Sequence, residues 1–263
     1  MEQMTKLPVI LSIAGSDNTS GAGIQADIRA AAAAGAYAMT AVTAVTVQGL
    51  GGVVAVEPVA NVGAQIDEAL RIGVDAVKIG LVASAEQARE IASQLESLPA
   101  GTPVVVDTIM NPTAGRGFSA SADDFIAKME PLLRIATMST PNLDEFSALF
   151  PHEGQLTSAM AGFCRRFGSR SVLVTGVETG PDELTEVFYR DGAVRRVPHP
   201  TADTPNTHGT GCSLSSAIAA RLAQGCEPGD AVYDAVEWLM GALESGAGVR
   251  FASGWHGAAN FII

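Results

Sequence analysis

Short apolar runs rich in β-branched residues alternate with longer segments in which apolar residues recur every three or four positions. The first pattern is typical of buried strands and the second of amphipathic helices. The predicted strands are 9–14, 40–47, 74–79, 103–106, 136–139 and 172–174. The predicted helices are 24–34, 58–72, 85–98, 122–133, 143–150, 156–167, 210–224 and 231–246. Two short strands, 186–189 and 194–197, flank a turn at Asp191-Gly192 and predict a hairpin.

Strands that alternate with helices of this length predict an α/β fold with a mainly parallel sheet covered on both faces. The single hairpin predicts one small antiparallel patch. No internal repeat or linker interrupts the pattern, so we expect one domain over 1–263. In such sheets ligands bind at the carboxyl ends of the strands. The loops after residues 14, 47, 79, 106 and 139 are therefore the first places to look for a site.

The charge balance constrains what the chain binds. It has 263 residues, with 16 Lys and Arg against 28 Asp and Glu, a formal net charge of −12. So acidic a protein does not attract nucleic acid, and a site for an anion must be built locally. The three cysteines show no metal or disulfide spacing, and no apolar run is long enough to span a bilayer. We expect a cytoplasmic protein that binds neither nucleic acid nor membrane.

The clearest chemical motif is Asn206-Thr207-His208-Gly209-Thr210-Gly211-Cys212, which opens a predicted helix. Backbone N–H groups at a glycine-rich helix start converge on one point and favour an anion such as phosphate. The helix dipole would also favour the thiolate of Cys212. The alternative is an ordinary glycine-rich helix start with a buried structural cysteine, and the sequence leaves both open.

A second glycine-rich segment, Gly21-Ala22-Gly23, follows the first strand. It lacks the third glycine of the dinucleotide fingerprint, because position 26 is Ala, and no Gly-Lys-Ser/Thr motif occurs. Taken alone, 17–23 indicates a tight turn more than a ligand loop. The dinucleotide and P-loop hypotheses are therefore excluded.

Three charged residues lie in or just after apolar segments. Asp107 ends a strand, where a carboxylate needs a partner, and with Glu145 it could hold Mg²⁺ against phosphates. The alternative for Glu145 is a first-turn acid that complements its helix dipole. Lys78 is a lone cation in an apolar strand, expected to be paired or to face the ligand edge. The spacing of His208 and His256 predicts no metal site.

Taken together, these motifs resemble the hydroxymethylpyrimidine/phosphomethylpyrimidine kinases of thiamine biosynthesis, within the ribokinase-like superfamily. The matching segments are Ile13-Ala14-Gly15-Ser16-Asp17, Gly21-Ala22-Gly23-Ile24-Gln25-Ala26-Asp27, Thr43-Ala44-Val45-Thr46-Val47-Gln48, Lys78-Ile79-Gly80, Asp107-Thr108-Ile109-Met110, Thr140-Pro141-Asn142-Leu143-Asp144-Glu145 and 206–212. The resemblance implies a three-layer α/β/α sandwich, a homodimer, and use of ATP and Mg²⁺. It implies phosphorylation of 4-amino-5-hydroxymethyl-2-methylpyrimidine and then of its monophosphate.

The resemblance also implies roles for residues. Gln48 would bond the amino and ring-nitrogen edge of the pyrimidine, and Asp17, Gly21, Ala22, Gly23 and Ile109 would complete the substrate site. Gly209, Thr210, Gly211 and Cys212 would form the anion hole, with Cys212 nearest the attacking hydroxyl. Asn142, Thr175 and Lys78 would serve the nucleotide, and Asp107 and Glu145 would hold Mg²⁺. Whether Cys212 is a base or only part of the anion hole stays open.

The chain departs from the family pattern at four places. Ser20 stands where the family usually has glycine, and Thr175 stands where it usually has lysine. The small-residue turn after Asp107 is here Thr113-Ala114-Gly115, and the C-terminal Gly-His-Gly-Pro element is altered around Trp255. The changes at Thr175 and Trp255 concern regions associated with ATP or with closure of the site.

Two other functions stay open on the sequence. A pyridoxal or pyridoxine kinase of the same lineage would use the same site, since its substrate is also a planar heteroaromatic ring with a hydroxymethyl arm. A pyrimidine-binding protein with weak catalysis would keep the ring pocket and lose ATP handling.

Overall fold

The computed structural model describes residues 6–110, 118–251 and 257–258. In this part of the chain nine strands form one sheet with the order β3-β2-β1-β4-β5-β6-β7-β8-β9. The strands are β1 Val9–Asp17, β2 Tyr37–Gly49, β3 Gly52–Pro58, β4 Ala76–Ile79, β5 Val104–Val106, β6 Met138–Ser139, β7 Ser171–Gly180, β8 Glu183–Arg190 and β9 Ala193–Pro200. The predicted hairpin at Asp191-Gly192 is the connection between β8 and β9.

The central strands, from β2 across to β7, are parallel to their neighbours. Their carboxyl ends therefore meet at one edge of the sheet. Antiparallel strands extend the sheet on both sides, β3 beside β2 and β8 and β9 beside β7. The predicted fold class is confirmed, with antiparallel pairing on two sides of the sheet rather than at one hairpin.

The prediction missed β3: no element was assigned to 53–57, and Pro58 was assigned to the start of a helix over 58–72. Pro58 is instead the last residue of β3, paired with Ala44, and the following helix begins at Val62. Proline is tolerated at the edge of a sheet because the missing N–H costs no ladder bond there. Pro58 is thus compatible with a strand end as well as with a helix start.

Eight helices cover the two faces of the sheet within the described residues. They are α1 Gly23–Ala33, α2 Val62–Ile72, α3 Ala85–Gln94, α4 Ala122–Leu133, α5 Leu143–Leu149, α6 Leu156–Phe167, α7 Thr210–Ala223 and α8 Pro228–Gly246. A short 3₁₀ turn, Leu95–Ser97, extends α3. None of the helices described is long and apolar enough to cross a bilayer.

Each face of the sheet has its own hydrophobic core. Leu11 and Ile13 of β1 pack into the core formed with α2 to α6, whereas Ile10 packs into the core formed with α1, α7 and α8. A strand buried on both faces has no polar side to alternate, which is why 9–14 is apolar except for Ser12, whose hydroxyl donates to Asp27. Helix α7 is buried along most of its length, and its N-terminus points to the carboxyl edge of the strands. The sheet and α7 together position the candidate site.

Candidate active site

A cavity of about 220 Å³ opens at the carboxyl edge of the parallel strands. Its walls come from the carboxyl-terminal parts of β1 and β2, from β7, from the loops after β1, β4, β5 and β6, and from the start of α5 and α7. Among the described residues the lining is Gly15, Asp17, Ala22, Gly23, Thr46, Gln48, Leu81, Asp107, Ile109, Phe118, Thr140, Asn142, Glu145, Thr175, His208, Gly209, Thr210, Gly211 and Cys212. All the predicted site residues except Gly21 and Lys78 are in this set.

The loop after β1 is held together by the carboxylate of Asp17. This carboxylate accepts hydrogen bonds from the backbone N–H groups of Thr19 and Ala22, both at 2.8 Å, and contacts Nε2 of His208 at 2.9 Å. Burial by itself would raise the pKa of Asp17, but the hydrogen bonds from His208, Ala22 and Thr19 outweigh it and lower the pKa to about 2. Asp17 is therefore an anion that ties the 17–23 loop to the start of α7.

The start of α7 packs directly on the 17–23 loop. Gly209 precedes the helix with φ of +78°, and a Cβ there would lie 2.1 Å from the carbonyl oxygen of Gly21. A Cβ on Gly21 would in turn overlap the ring of His208. Gly21, predicted to bind substrate, thus allows this contact and does not line the cavity. The two glycine-rich segments form one unit around the N-terminus of α7, where N–H groups favour an anion.

The expectation that the helix dipole favours a Cys212 thiolate is wrong. Cys212 is 7% exposed, and burial raises the pKa of its thiol far above the ordinary value; the charges of Asp107 and Asp27 add to this and Lys78 opposes it. Desolvation in a buried site beside carboxylates outweighs a dipole effect of about 1 kcal/mol. Cys212 is a neutral thiol at the wall of the cavity.

Lys78 lies beneath this wall in a buried charge network. Its Nζ donates to Oδ1 of Asp27 at 2.8 Å and lies 3.8 Å from Oδ2 of Asp107. Burial would lower the pKa of Lys78, but the negative charges of Asp27 and Asp107 outweigh it and the pKa rises. Asp27 also accepts hydrogen bonds from Ser12 and Ser216. The expectation that Lys78 is paired is confirmed, and its direct contact with nucleotide stays a prediction.

Glu145 is both a helix-capping residue and a cavity residue. Asn142 and Glu145 form a capping box at the start of α5, in which each side chain accepts from the other's backbone N–H. Glu145 Oε1 also accepts from the N–H of Met110. Burial, followed by the charge of Asp107, raises the pKa of Glu145 to about 7 despite these hydrogen bonds. The capping alternative for Glu145 is therefore correct, and it coexists with a place in the cavity.

Asp107 follows β5 and lies buried beside Lys78. Burial raises its pKa, while the charge of Lys78 opposes this effect. Within the described part of the chain its Oδ2 has no hydrogen-bond partner. The described residues contain no cluster of three His, Cys, Asp or Glu side chains that could enclose a metal. A pair of carboxylates does suit Mg²⁺, which is usually held by one or two carboxylates plus phosphates and waters.

The part of the cavity near Gln48 combines an amide with apolar side chains. Gln48 Nε2 donates to Oγ1 of Thr46 at 2.9 Å, which orients the amide. Leu81 and Ile109 line the cavity with it. At the opposite end, the N–H of Thr175 donates to the carbonyl of Pro141, so Thr175 lies beside Asn142. The cavity thus runs along the strand ends from Gln48 to Thr175.

The sequence predicted no role for four cavity residues that belong to the quoted motifs, namely Gly15, Thr46, Thr140 and His208. Leu81 and Phe118 had no local signal, because only the fold brings them to the cavity. The 113–115 turn and the region of Trp255 and His256 lie outside the described residues.

A family model described as "Phosphomethylpyrimidine kinase" matches residues 17–258. The chain belongs to the phosphomethylpyrimidine kinase family. It is 38% identical to the hydroxymethylpyrimidine/phosphomethylpyrimidine kinase of Rhizobium meliloti, over 94% of each chain. It is also 36% identical to the thiamine biosynthesis multifunctional protein ThiED of Corynebacterium efficiens, covering 94% of this chain and 34% of that protein. The chain therefore spans about a third of that multifunctional relative.

Solved structures show the same fold. The pyridoxal kinase of Staphylococcus aureus in complex with AMP-PCP and pyridoxal matches with a TM-score of 0.84 at 26% identity, over 98% of this chain and 94% of that one. A phosphomethylpyrimidine kinase of Clostridium difficile matches with a TM-score of 0.75 at 29% identity, over 90% of this chain and 100% of that one. The predicted family, its ribokinase-like fold and the kinase class are confirmed. The predicted cytoplasmic location stays a prediction.

Proposed function

We propose that this kinase transfers phosphate from ATP to 4-amino-5-hydroxymethyl-2-methylpyrimidine and then to the resulting monophosphate. The observation that carries the proposal is the cavity itself. It joins an amide and apolar end, at Gln48 and Leu81, to a phosphate-binding end at the N-terminus of α7. Family membership and the kinase relatives named above support the same reaction.

The Gln48 end suits an aminopyrimidine. An amide offers a carbonyl acceptor and N–H donors side by side, which match the amino group and neighbouring ring nitrogen of the substrate. One N–H of Gln48 is already donated to Thr46, so the amide has a defined orientation before substrate binds. Leu81 and Ile109 supply apolar contacts for the ring.

The 209–212 turn and the two carboxylates suit phosphoryl transfer. Backbone N–H groups at the start of α7 would stabilise the charge that develops on the transferred phosphate. Asp107 and Glu145 would hold Mg²⁺, which supplies charge neutralisation when it is bound. Oδ2 of Asp107 has no hydrogen-bond partner within the described residues. Asn142 and Thr175 would serve the nucleotide at the far end. Because Cys212 is a neutral thiol, we assign it a hydrogen-bonding place beside the attacking hydroxyl rather than that of an ionised base.

A coupled ADP-release assay with ATP and Mg²⁺ tests the proposal. The free pyrimidine, its monophosphate and pyridoxal serve as acceptors in parallel. We expect ADP release with both pyrimidines, and we expect Gln48→Ala to raise KM for the free pyrimidine about tenfold or more while KM for ATP changes little. Absence of ADP release, with pyrimidine binding still measurable, would instead indicate a binding protein.

Pyridoxal phosphorylation is a second candidate activity. The solved pyridoxal kinases of Staphylococcus aureus, with TM-scores up to 0.84, favour it on structural grounds. Pyridoxal lacks the amino group that Gln48 would recognise. We therefore expect a lower kcat/KM for pyridoxal than for the pyrimidine, and a smaller effect of Gln48→Ala on it.

We further propose that the protein is a homodimer that buries the exposed side of the β2–β3 hairpin. Val45 and Val47, which alternate along β2 with cavity residues, are exposed, as are Leu50 and Val54. Several exposed apolar side chains on one hairpin favour association. Light scattering should give twice the chain mass of 27.0 kDa, and a Val47→Lys, Val54→Lys variant should give 27.0 kDa. A wild-type protein at 27.0 kDa would contradict the proposal.

A further inference from the structure

Thr140 carries a buried hydroxyl that the fold does not use. The residue follows β6 directly, and its backbone N–H donates to the carbonyl of Val106 at 3.0 Å. It is 5% exposed and lines the cavity. Within the described part of the chain, its Oγ1 has no hydrogen-bond partner. A buried hydroxyl that makes no internal hydrogen bond destabilises the folded protein.

The other buried threonines named in this structure make such bonds. Thr43 Oγ1 donates to the carbonyl of Leu81, and Thr185 Oγ1 pairs with Oγ1 of Thr179 at 3.0 Å. A second atom without a hydrogen-bond partner is Oδ2 of Asp107, which follows the neighbouring strand β5 and lies 3.8 Å from Nζ of Lys78. Two polar atoms on adjacent strand ends that make no hydrogen bond within the described residues, both on residues that line one cavity, point to a polar group that enters from outside the chain.

We propose that Thr140 is a ligand-binding residue whose hydroxyl donates to a phosphate oxygen of the bound nucleotide. The proposal rests on the kinase function and adds to it a residue to which no role was assigned. Thr140 follows β6, which lies between β5, followed by Asp107, and β7, which carries Thr175. This position is remote in strand order from Gln48 on β2, so the phosphates rather than the pyrimidine ring are the group expected there.

If the Thr140 hydroxyl binds a ligand, its removal should weaken ligand binding without lowering the stability of the ligand-free protein. Thr140→Val replaces the hydroxyl by a methyl group of the same shape, so no internal hydrogen bond is lost. The ligand-free variant should unfold at the same temperature as wild type or higher. Loss of one hydrogen bond to a charged phosphate should weaken nucleotide binding by about tenfold or more. Thr140→Ser, which keeps the hydroxyl, should bind within about threefold of wild type.

The test measures calorimetric binding of AMP-PCP with Mg²⁺ and thermal unfolding without ligand for wild type, Thr140→Val and Thr140→Ser. Thr185→Val is the matched control, because its hydroxyl is buried and internally bonded away from the cavity. It should lose stability and keep its affinity for AMP-PCP. Binding of this analogue requires no turnover, so the result stands even if no pyrimidine is phosphorylated.

Three outcomes would overturn the proposal. The first is unchanged binding of AMP-PCP by Thr140→Val. The second is a loss of stability in Thr140→Val as large as that in Thr185→Val, which would mean that the hydroxyl has an internal partner. The third is equally weak binding by the Ser and Val variants, which would mean that the shape of the side chain matters and the hydroxyl does not.

Discussion

At the scale of single residues, the three cysteines differ in how accessible their thiols are. Cys212 is buried, with a raised thiol pKa, whereas Cys164 and Cys226 are partly exposed. The thiolate is the reactive form, so we expect iodoacetamide to modify Cys212 at pH 8 at least about tenfold more slowly than Cys226. Peptide mass spectrometry of the ligand-free protein follows both sites in one sample. Faster modification of Cys212 than of Cys226 would contradict the assignment of a neutral thiol.

The low pKa of Asp17 predicts how the free energy of unfolding depends on pH. Its folded-state pKa of about 2 lies below the ordinary 3.8, so the ionised carboxylate stabilises the fold. That stabilisation, about 2 kcal/mol, is fully present above pH 4 and is lost as the pH falls towards 2. Asp17→Asn should therefore lower the free energy of unfolding by about 2 kcal/mol at pH 7 and by about half as much at pH 3.

Urea unfolding of wild type and Asp17→Asn across this pH range is the measurement. Asp182→Asn, at an exposed turn, is the control and should stay within about 0.5 kcal/mol of wild type. A difference between wild type and Asp17→Asn that does not shrink on acidification would show that the charge of Asp17 is not what stabilises the loop.

Residues at the cavity were predictable where a motif marked them, and their ionisation was not predictable where the environment decided it. Asp107, Glu145 and the 209–212 turn could be selected from residue type and position in the pattern, whereas Gln48 was selected only through the family resemblance. The ionisation state of Cys212 could not be predicted, because it depends first on burial and then on the charges of residues such as Asp107 and Asp27, which are distant in the chain and are brought near only by the fold. The same holds for Lys78, whose partner Asp27 lies 51 residues away.

At the scale of elements, the contact between the two glycine-rich segments gives a prediction. Gly209 and Gly225 both have positive φ, +78° and +86°, but only at Gly209 would a Cβ meet nearby described atoms. Gly225→Ala should cost about 1 kcal/mol for the left-handed backbone alone. Gly209→Ala should cost about 1–3 kcal/mol more, because its Cβ overlaps the backbone of Gly21.

Chemical unfolding of both variants measures the difference in their free energies of unfolding. The activity of Gly209→Ala should also fall, because the Cβ displaces the 209–212 turn. Equal destabilisation of the two variants would show that the 17–23 loop moves away from α7 at little cost.

Most elements could be predicted because their periodicity was unambiguous. The buried parallel strands are mostly apolar, with Ser12 and Lys78 among the exceptions, and α2, α4 and α6 carry one apolar face. The strand β3 could not be predicted, because it is short, follows two glycines and ends at Pro58, which also suits a helix start. Ser20 was singled out only by family pattern, and the structure places it at φ of +62°, the left-handed region that favours glycine.

At the scale of the whole molecule, a net charge of −12 repels a polyanionic nucleotide at long range. Salt screens this repulsion at separations beyond about a Debye length, and the Debye length shortens as the salt concentration rises. We therefore expect KM for ATP to fall about twofold when KCl is raised from 20 to 200 mM at constant free Mg²⁺. Thr175→Lys, which adds a cation at the nucleotide end, should lower KM at low salt and reduce the salt effect. A KM that rises steeply with salt in wild type would contradict this account, because it would require a basic nucleotide site.

The central claim is that one cavity phosphorylates the hydroxymethyl pyrimidine, recognised by Gln48, in preference to pyridoxal. The most direct measurement places equal concentrations of the two acceptors with ATP, Mg²⁺ and the enzyme and follows products by liquid chromatography and mass spectrometry. We expect the pyrimidine monophosphate first, then its diphosphate, with pyridoxal phosphate formed much more slowly. Gln48→Ala should reduce this preference. Faster formation of pyridoxal phosphate than of pyrimidine monophosphate by wild type would contradict the claim.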